Sequence, residues 1–461
     1  MAEILDEDAA ACRAGAVLSR LAALGIHAGD RIAVLAGNGP GLVAARDAAT
    51  AADLVLVPIN PRLAPAEIAW ISGHARPRAL LVDAAHRAAA PAHVPVIDLD
   101  ALTGSAAAPI DHARVGATLL YTSGTTGRPK GCWRTAAQER ARADELRATY
   151  ALSAADTHLI VCPLGHSAPG IFLRAARAAG ARTVIAPRFT AESFVEDVQH
   201  HRATVVFLVP TQVHRLLALD PPPRLGSLRA VIVAGAPFLP AHKEAFAAWL
   251  GPGRLYEFYG SSETGTVSAI GPDEHAAHPG SVGRPPPGVS VQIHDGEIFV
   301  RSPTVMSGYL DETGEHVVPL PARDGHISVG DLGAIDEAGW LTIVDRKHDT
   351  IISGGLNVYP AEVERALAAL PDVAGAVVFG VSDPEWGQLV AAVIATRDGT
   401  PLAGELVRAA LRDQLAGYKL PRAIATCTLA ELPVGASGKP LRRAARDAFA
   451  ARLARIGRGG R

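Results

Sequence analysis

Residues 119–131 read LLYTSGTTGRPKG. Leu119, Leu120 and Tyr121 form an apolar lead suited to a buried strand, and Thr122–Gly127 follow as an unbroken run of small hydroxyl and glycine residues. Glycine permits backbone conformations that turn successive N–H groups toward one point, which makes a nest for an anion. Ser123, Thr125 and Thr126 add hydroxyl donors, and Lys130 adds a charge suited to phosphate. The spacing is not that of the usual phosphate loop, because Arg128 and Pro129 stand between Gly127 and Lys130. A plain surface loop would not call for so long a Gly/Thr tract straight after a buried strand.

Outward from this stretch, short β-branched runs alternate with segments of helical length rich in Ala, Leu, Arg and Glu. Arg31–Leu35, Leu54–Pro58, His158–Cys162, Thr183–Ala186, Thr204–Val209 and Leu228–Val233 read as buried strands. Runs of this kind with intervening helices predict parallel α/β sheets covered on both faces. After about residue 283 the texture changes to short alternating strands with HDGE and DEAGW turns, which predicts a small antiparallel, β-barrel-like subdomain over 283–347. From 348 to 461 a compact α+β block follows, with helices predicted over Ala361–Ala369 and Gly404–Gly417 and strands over Val373–Val381 and Leu389–Thr396. Leu441–Arg461 reads as a frayed, basic helical tail. The expected organisation is a large ligand-binding domain, 1–347, and a small C-terminal domain, 348–461.

Composition sets limits on function. A chain of 461 residues at about 150 per domain suggests roughly three folding units. Net charge is −2 and aromatics are 5%, so neither a basic nucleic-acid face nor a base-stacking platform is indicated. Cys12, Cys132, Cys162 and Cys427 are scattered, with neither metal-ligand spacing nor a disulfide framework. The N-terminus MAEILDEDAA lacks a basic region with an apolar run, and no apolar stretch approaches ~20 residues. The expectation is a cytoplasmic protein that binds neither membrane nor nucleic acid.

YTSGTTGRPKG resembles the phosphate-binding loop of the adenylate-forming superfamily: acyl-CoA synthetases, peptide-synthetase adenylation domains and luciferases. Further motifs follow in order across nearly the whole chain. VAGAP, with Gly235, Ala236 and Pro237, is similar to the family's adenine-side turn. In EFYGSSETG the resemblance implies that Tyr259 covers the adenine, with Gly260 beside it, that Ser262 reaches the α-phosphate in place of the usual threonine, and that Glu263 ligates Mg2+. It implies that Thr122, Ser123, Gly124, Thr125, Thr126, Gly127 and Lys130 hold the phosphates. By the same likeness Asp331 in SVGDLG accepts the ribose hydroxyls, although Val329 stands where threonine is common, and Arg346 in VDRKHD contacts ribose and phosphate. His348 takes the hinge position, where aspartate or lysine is usual. Gly354 and Gly355 of ISGGLNVYPAEVE would line the pantetheine channel of coenzyme A, and Lys439 of LPVGASGKPLRR would reach into the site when the small domain closes.

The implied reaction joins a carboxylate to the α-phosphate of ATP, releases pyrophosphate, and passes the acyl group to coenzyme A after the C-terminal domain rotates. Charge neutralisation and positioning suffice, since the acid is already ionised. His166 in PLGHSAPG resembles the histidine near the acyl carboxylate, and a structural histidine is the competing reading. Gly260, Gly265, Ala168 and Gly235 suggest space for the acid. Trp133 and Arg134 in CWRT either shape an unusual acid pocket or start the next helix, the second being the stronger expectation. Relatives that use a carrier protein, an amine or nitrite keep the alternative of another acceptor or acid open, with any carrier protein a separate chain. The resemblance allows a homodimer, for which the sequence offers no pattern. A non-catalytic scaffold would have lost charges that this chain retains at Lys130, Glu263, Asp331, Arg346 and Lys439.

Overall fold

The computed structural model describes residues 2–91, 93–102, 106–122, 129–220, 222–353, 356–383, 386–412, 414–435 and 440–458, with backbone alone at 348 and 454–458. The chain divides into two compact units, Met1–Val291 with Val300–Ile327, and Gln292–Phe299 with Ser328–Arg461.

The first unit is built on two mixed sheets. In the eight-stranded sheet the order is Val317–Val318, Gly308–Leu310, Lys130–Arg134, Thr118–Thr122, Val55–Ile59, Arg31–Leu35, Ala79–Val82 and Val96–Asp98. From Thr118–Thr122 onward the strands are parallel, as the buried apolar runs predict. The sequence RIAVL shows why both faces are covered. Ile32 and Val34 enter a cluster with Leu42, Val43 and Ala45 of the Pro40–Ala51 helix, while Ala33 and Leu35 enter another with Ile68 and Ile71 of the Pro65–Ala75 helix. Alternate residues of one strand thus serve two cores. The seven-stranded sheet has the order Glu3–Ile4, Arg182–Ile185, Thr157–Ile160, Val205–Leu208, Ala230–Val233, Leu255–Ser261 and Gly265–Ile270, with antiparallel edges and a parallel centre.

One sequence expectation fails here. CWRT does not start a helix: Lys130–Arg134 is a strand, and the following helix, Ala136–Thr149, begins only after Thr135. The helix signal is the capping box, in which Thr135 Oγ1 accepts from Gln138 N–H while the Gln138 side chain accepts from Thr135 N–H. That box fixes the start and leaves the preceding residues free to pair with Thr118–Thr122.

In the second unit, Asp331–Ile335 and Leu341–Arg346 pair antiparallel. A further sheet carries Val373–Asp383 against Gly387–Thr396, with Ala423–Thr428 parallel on its other side. Val378, Val390 and Ile394 pack under the Pro360–Ala368 and Gly404–Leu411 helices; Val377, Phe379 and Val393 pack under Arg442–Arg458. The tail is therefore a docked helix rather than a frayed one, because Ala445, Phe449 and Leu453 recur every four residues and are buried. The helix expected over Gly404–Gly417 stops at Leu411. Leu415 repeats the spacing of Val407 and Leu411 and is buried with them, but it does so from a turn beyond the helix, where its N–H still donates to Leu411 O at 2.9 Å. Among the described residues no helix is long and apolar enough to cross a membrane.

Candidate active site

Three chemistry-bearing turns leave the seven-stranded sheet at the carboxyl ends of parallel strands, where open α/β sheets bind ligands. Pro163–Ser167 follows Thr157–Ile160, Gly235–Pro237 follows Ala230–Val233, and Ser262–Thr264 follows Leu255–Ser261. Val233 pairs with Glu257, so Gly235 and Tyr259 lie on neighbouring strand ends. Gly235 has φ +93°, a conformation that favours glycine.

The loop that follows Thr122 is clasped by a hairpin: Thr122 pairs with Lys130, Tyr121 with Gly131 and Leu120 with Cys132. Trp70 Nε1 donates to Pro129 O at 3.3 Å and steadies the returning arm. Ser123, Gly124, Thr125, Thr126 and Gly127 lie outside the described residues.

Glu263 sits at the root of this hairpin and is 8% exposed. Its Oε1 accepts from the Thr122 hydroxyl at 3.2 Å, the Tyr309 hydroxyl at 2.7 Å and the Cys132 thiol at 3.6 Å. Ser261 Oγ closes the turn by accepting from the N–H groups of Glu263 and Thr264, each at 3.1 Å. Burial and the adjoining Glu263 carboxylate push the Cys132 thiol well above its usual range, so it stays a protonated donor. Lys130 Nζ lies 5.3 Å from the centroid of the Tyr309 ring. The structure therefore brings Thr122, Lys130 and Glu263 together.

The three donors to Glu263 all converge on Oε1, which leaves the other carboxylate oxygen to face a cation. No group of three or more His, Cys, Asp or Glu suited to a metal occurs among the described residues.

Beneath the turn lies Arg134, with no exposed surface. Its Nε donates to Ser262 O at 2.8 Å and its Nη1 to Thr304 O. Burial first, then Arg142, lower its pKa to about 9, so it is charged at neutral pH. Behind it stands Glu139, accepting from Thr118 Oγ1 at 2.5 Å and flanked by Arg142 at 3.3 Å and Arg174 at 3.7 Å. Burial opposes its ionisation, but the three arginines and the Thr118 hydroxyl hold it at about 2. Trp133 points the other way, into the core with Leu119 and Tyr121. Neither residue is placed as the sequence suggested.

Gly260 and Gly265 also differ from expectation. A Cβ at Gly260 would lie 2.1 Å from Gly265 O, and one at Gly265 2.3 Å from Thr304 Oγ1. The space on the Cβ side of both glycines is filled by the hairpin's own backbone and by Thr304, so it is close packing there that requires glycine. His166 caps the Ser167–Ala178 helix. Asn60 Oδ1 accepts from Arg62 N–H at 3.0 Å, which turns Asn60 Nδ2 toward His166 Nε2 at 2.9 Å. Nε2 is thus the acceptor, and the ring hydrogen sits on Nδ1.

In the second unit, Asp331 and Arg346 are cross-strand partners, with Arg346 Nε 3.0 Å from Asp331 Oδ1. Asp331 is 5% exposed, whereas the Arg346 side chain is half-exposed. Gly354, Gly355 and Lys439 lie outside the described residues. Sequence reading missed Tyr309, Thr304 and Asn60, and it singled out Arg134 and quoted Cys132 without the contacts they make. None of the missed residues stands in a motif, and only register and chain reversal bring them to the site.

Residues 7–310 match the family model described as AMP-binding enzyme, and 362–439 that of the AMP-binding enzyme C-terminal domain. The chain is 32% identical to the 2-succinylbenzoate–CoA ligase of Bacillus licheniformis over 444 residues, covering 92% of this chain and 90% of that one. It is also 32% identical to a feruloyl-CoA synthase of an Amycolatopsis species over 462 residues, covering 95% and 92%. Among solved structures, o-succinylbenzoate CoA synthetase from Bacillus subtilis, in complex with its acyl-adenylate intermediate, superposes with a TM-score of 0.81 at 29% identity, covering 94% and 91%.

Proposed function

Because this chain belongs to the AMP-binding enzyme family, as an adenylate-forming enzyme of the acyl-CoA synthetase type, we propose that the acid it activates is an aromatic carboxylic acid. Two relatives at 32% identity, named for 2-succinylbenzoate and for ferulate, support that class. The observation that carries the assignment of roles is the clasp of Glu263 against Thr122 at the root of the Lys130 loop. It sets a buried carboxylate and a lysine at the root of a segment whose Gly/Ser/Thr sequence suits phosphate, which supports a metal-bound triphosphate as ligand.

The acid's carboxylate oxygen attacks the α-phosphorus of ATP, the bridge to the β-phosphate breaks, and pyrophosphate leaves. Lys130 and the loop from Thr122 to Gly127 hold the departing phosphates. Ser262 and Lys439 neutralise the α-phosphate, and Lys439 also draws in the carboxylate beside His166. Tyr259 and the backbone of Gly235–Pro237 hold the adenine, with Asp331 and Arg346 on the ribose. Mg2+ on Glu263, when bound, supplies charge neutralisation on the phosphates. The coenzyme A thiol then attacks the acyl carbonyl past Gly354 and Gly355, giving the thioester and AMP. In this reading residues 348–461 form the mobile domain, turning about His348 between the two steps.

The test is a screen of pyrophosphate release over short, medium and aryl acids and nitrite, with and without coenzyme A, and mass analysis of the products. Aryl acids should lead, with acyl-CoA as product, and Lys439→Ala should cut adenylation at least 100-fold, the loss of a key transition-state contact. Pyrophosphate release from no acid at all would sink the reading; release with no thioester would move the acceptor to an amine or a separate carrier protein.

A further inference from the structure

Tyr309 stands outside every motif, yet it touches both charges on the phosphate side of the site. It lies on the strand Gly308–Leu310, between Val317–Val318 and the loop hairpin, where it pairs with Cys132. Its hydroxyl donates to Glu263 Oε1 at 2.7 Å, and its ring lies 5.3 Å from Lys130 Nζ. Glu263 is held from the far side as well, since Met306 N–H donates to Glu263 O at 2.8 Å. Gly308, with φ +156° and a Cβ position 2.3 Å from Val318 O, lets the neighbouring strand approach closely enough to seat the tyrosine.

We propose that Tyr309 is a positioning residue for ATP activation, its hydroxyl fixing the Glu263 carboxylate for a divalent cation and its ring holding Lys130 at the loop root. This rests on the ATP-binding reading above. The hydroxyl, with Thr122 and Cys132, occupies Oε1 and so directs a cation to Oε2 as a single-oxygen ligand. The ring face attracts the ammonium electrostatically and keeps it beside the loop before nucleotide arrives.

Two substitutions separate the roles. Tyr309→Phe keeps the ring and removes the hydroxyl, whereas Tyr309→Leu removes both. The measurement is ATP binding by titration calorimetry without acid, across a range of MgCl2 concentrations and in EDTA, with circular dichroism to establish folding. For Tyr309→Phe, the Mg2+ concentration giving half-maximal enhancement should rise about five- to tenfold, the equivalent of one ordinary hydrogen bond, with binding in EDTA unchanged. Tyr309→Leu should show the same metal shift and also weaken binding in EDTA by about two- to fivefold. A purely structural role would shift both quantities together in both variants. Unchanged Mg2+ dependence in a folded Tyr309→Phe enzyme overturns the inference and leaves the ligase reading intact. Failure of the wild-type enzyme to bind ATP at all overturns both.

Discussion

Arg134 keeps a full charge where water does not reach, and what holds it there is main chain. Its donors go to the carbonyls of Ser262 and Thr304, two turns that sequence leaves 42 residues apart and that are also joined by Thr304 Oγ1, which donates to Thr264 O, and by Met306 N–H, which donates to Glu263 O. Removing the guanidinium orphans buried carbonyls. Arg134→Met should cost about 3 kcal/mol in urea unfolding and raise the KM for ATP, while Arg134→Lys recovers part of the stability. At this scale Lys130 was legible from its place after the Gly/Thr tract, and Thr122 and Glu263 only through the motifs that resemble the family's. The buried role of Arg134, and Tyr309 altogether, were not legible, because an arginine or tyrosine looks the same whether solvated or buried until its strand partners are known.

Among the elements, the buried strand Thr157–Ile160 carries an ionisable group in its interior. His158 is 2% exposed, its Nδ1 lacks a hydrogen-bond partner among the described residues, and burial, only partly opposed by Asp156, lowers its pKa to about 4. The folded value lies below the ordinary ~6.5, so the unfolded chain takes up the proton first. The stability is therefore complete above pH ~6.5 and is lost as pH falls toward 4, by about 2–3 kcal/mol near pH 4.5. Melting temperatures from pH 8 to pH 4.5 should fall less steeply for His158→Leu than for the wild type; parallel slopes would refute this. The strand itself was legible from its apolar run. The Lys130–Arg134 strand was not, since Cys-Trp-Arg shows no β-branched pattern and the capping signal beside it speaks only for the helix.

For the molecule as a whole, the division into two units has a calorimetric consequence. Within the second unit, Arg442 bonds Asp349 at 2.7 Å, Glu364 at 2.8 Å and the Val378 carbonyl at 3.1 Å. One guanidinium thus ties the turn Lys347–Asp349, the Pro360–Ala368 helix and the Val373–Asp383 strand to the start of the last helix. Arg442→Gln should cost about 2 kcal/mol and lower one calorimetric transition by roughly 5–10 °C while leaving the other in place. A uniform shift of the whole profile would mean that the units unfold as one. The parallel sheets and the small α+β block were readable from strand period and helix length. The interleaving of 292–299 and 300–327 between units was not, because short strands take their partners from chain reversal rather than from composition.

The hairpin register between Thr122 and Lys130 makes one last demand. Lys130, Cys132 and Arg134 share one face of their strand, and Gly131 and Trp133 share the other. Inserting or deleting a single residue between 123 and 129 would exchange the faces, driving Trp133 against Glu263 and Arg134 into the aliphatic core. Single-residue length variants that pass the shift on to the strand should therefore be lost from any selection for folded, ATP-binding enzyme.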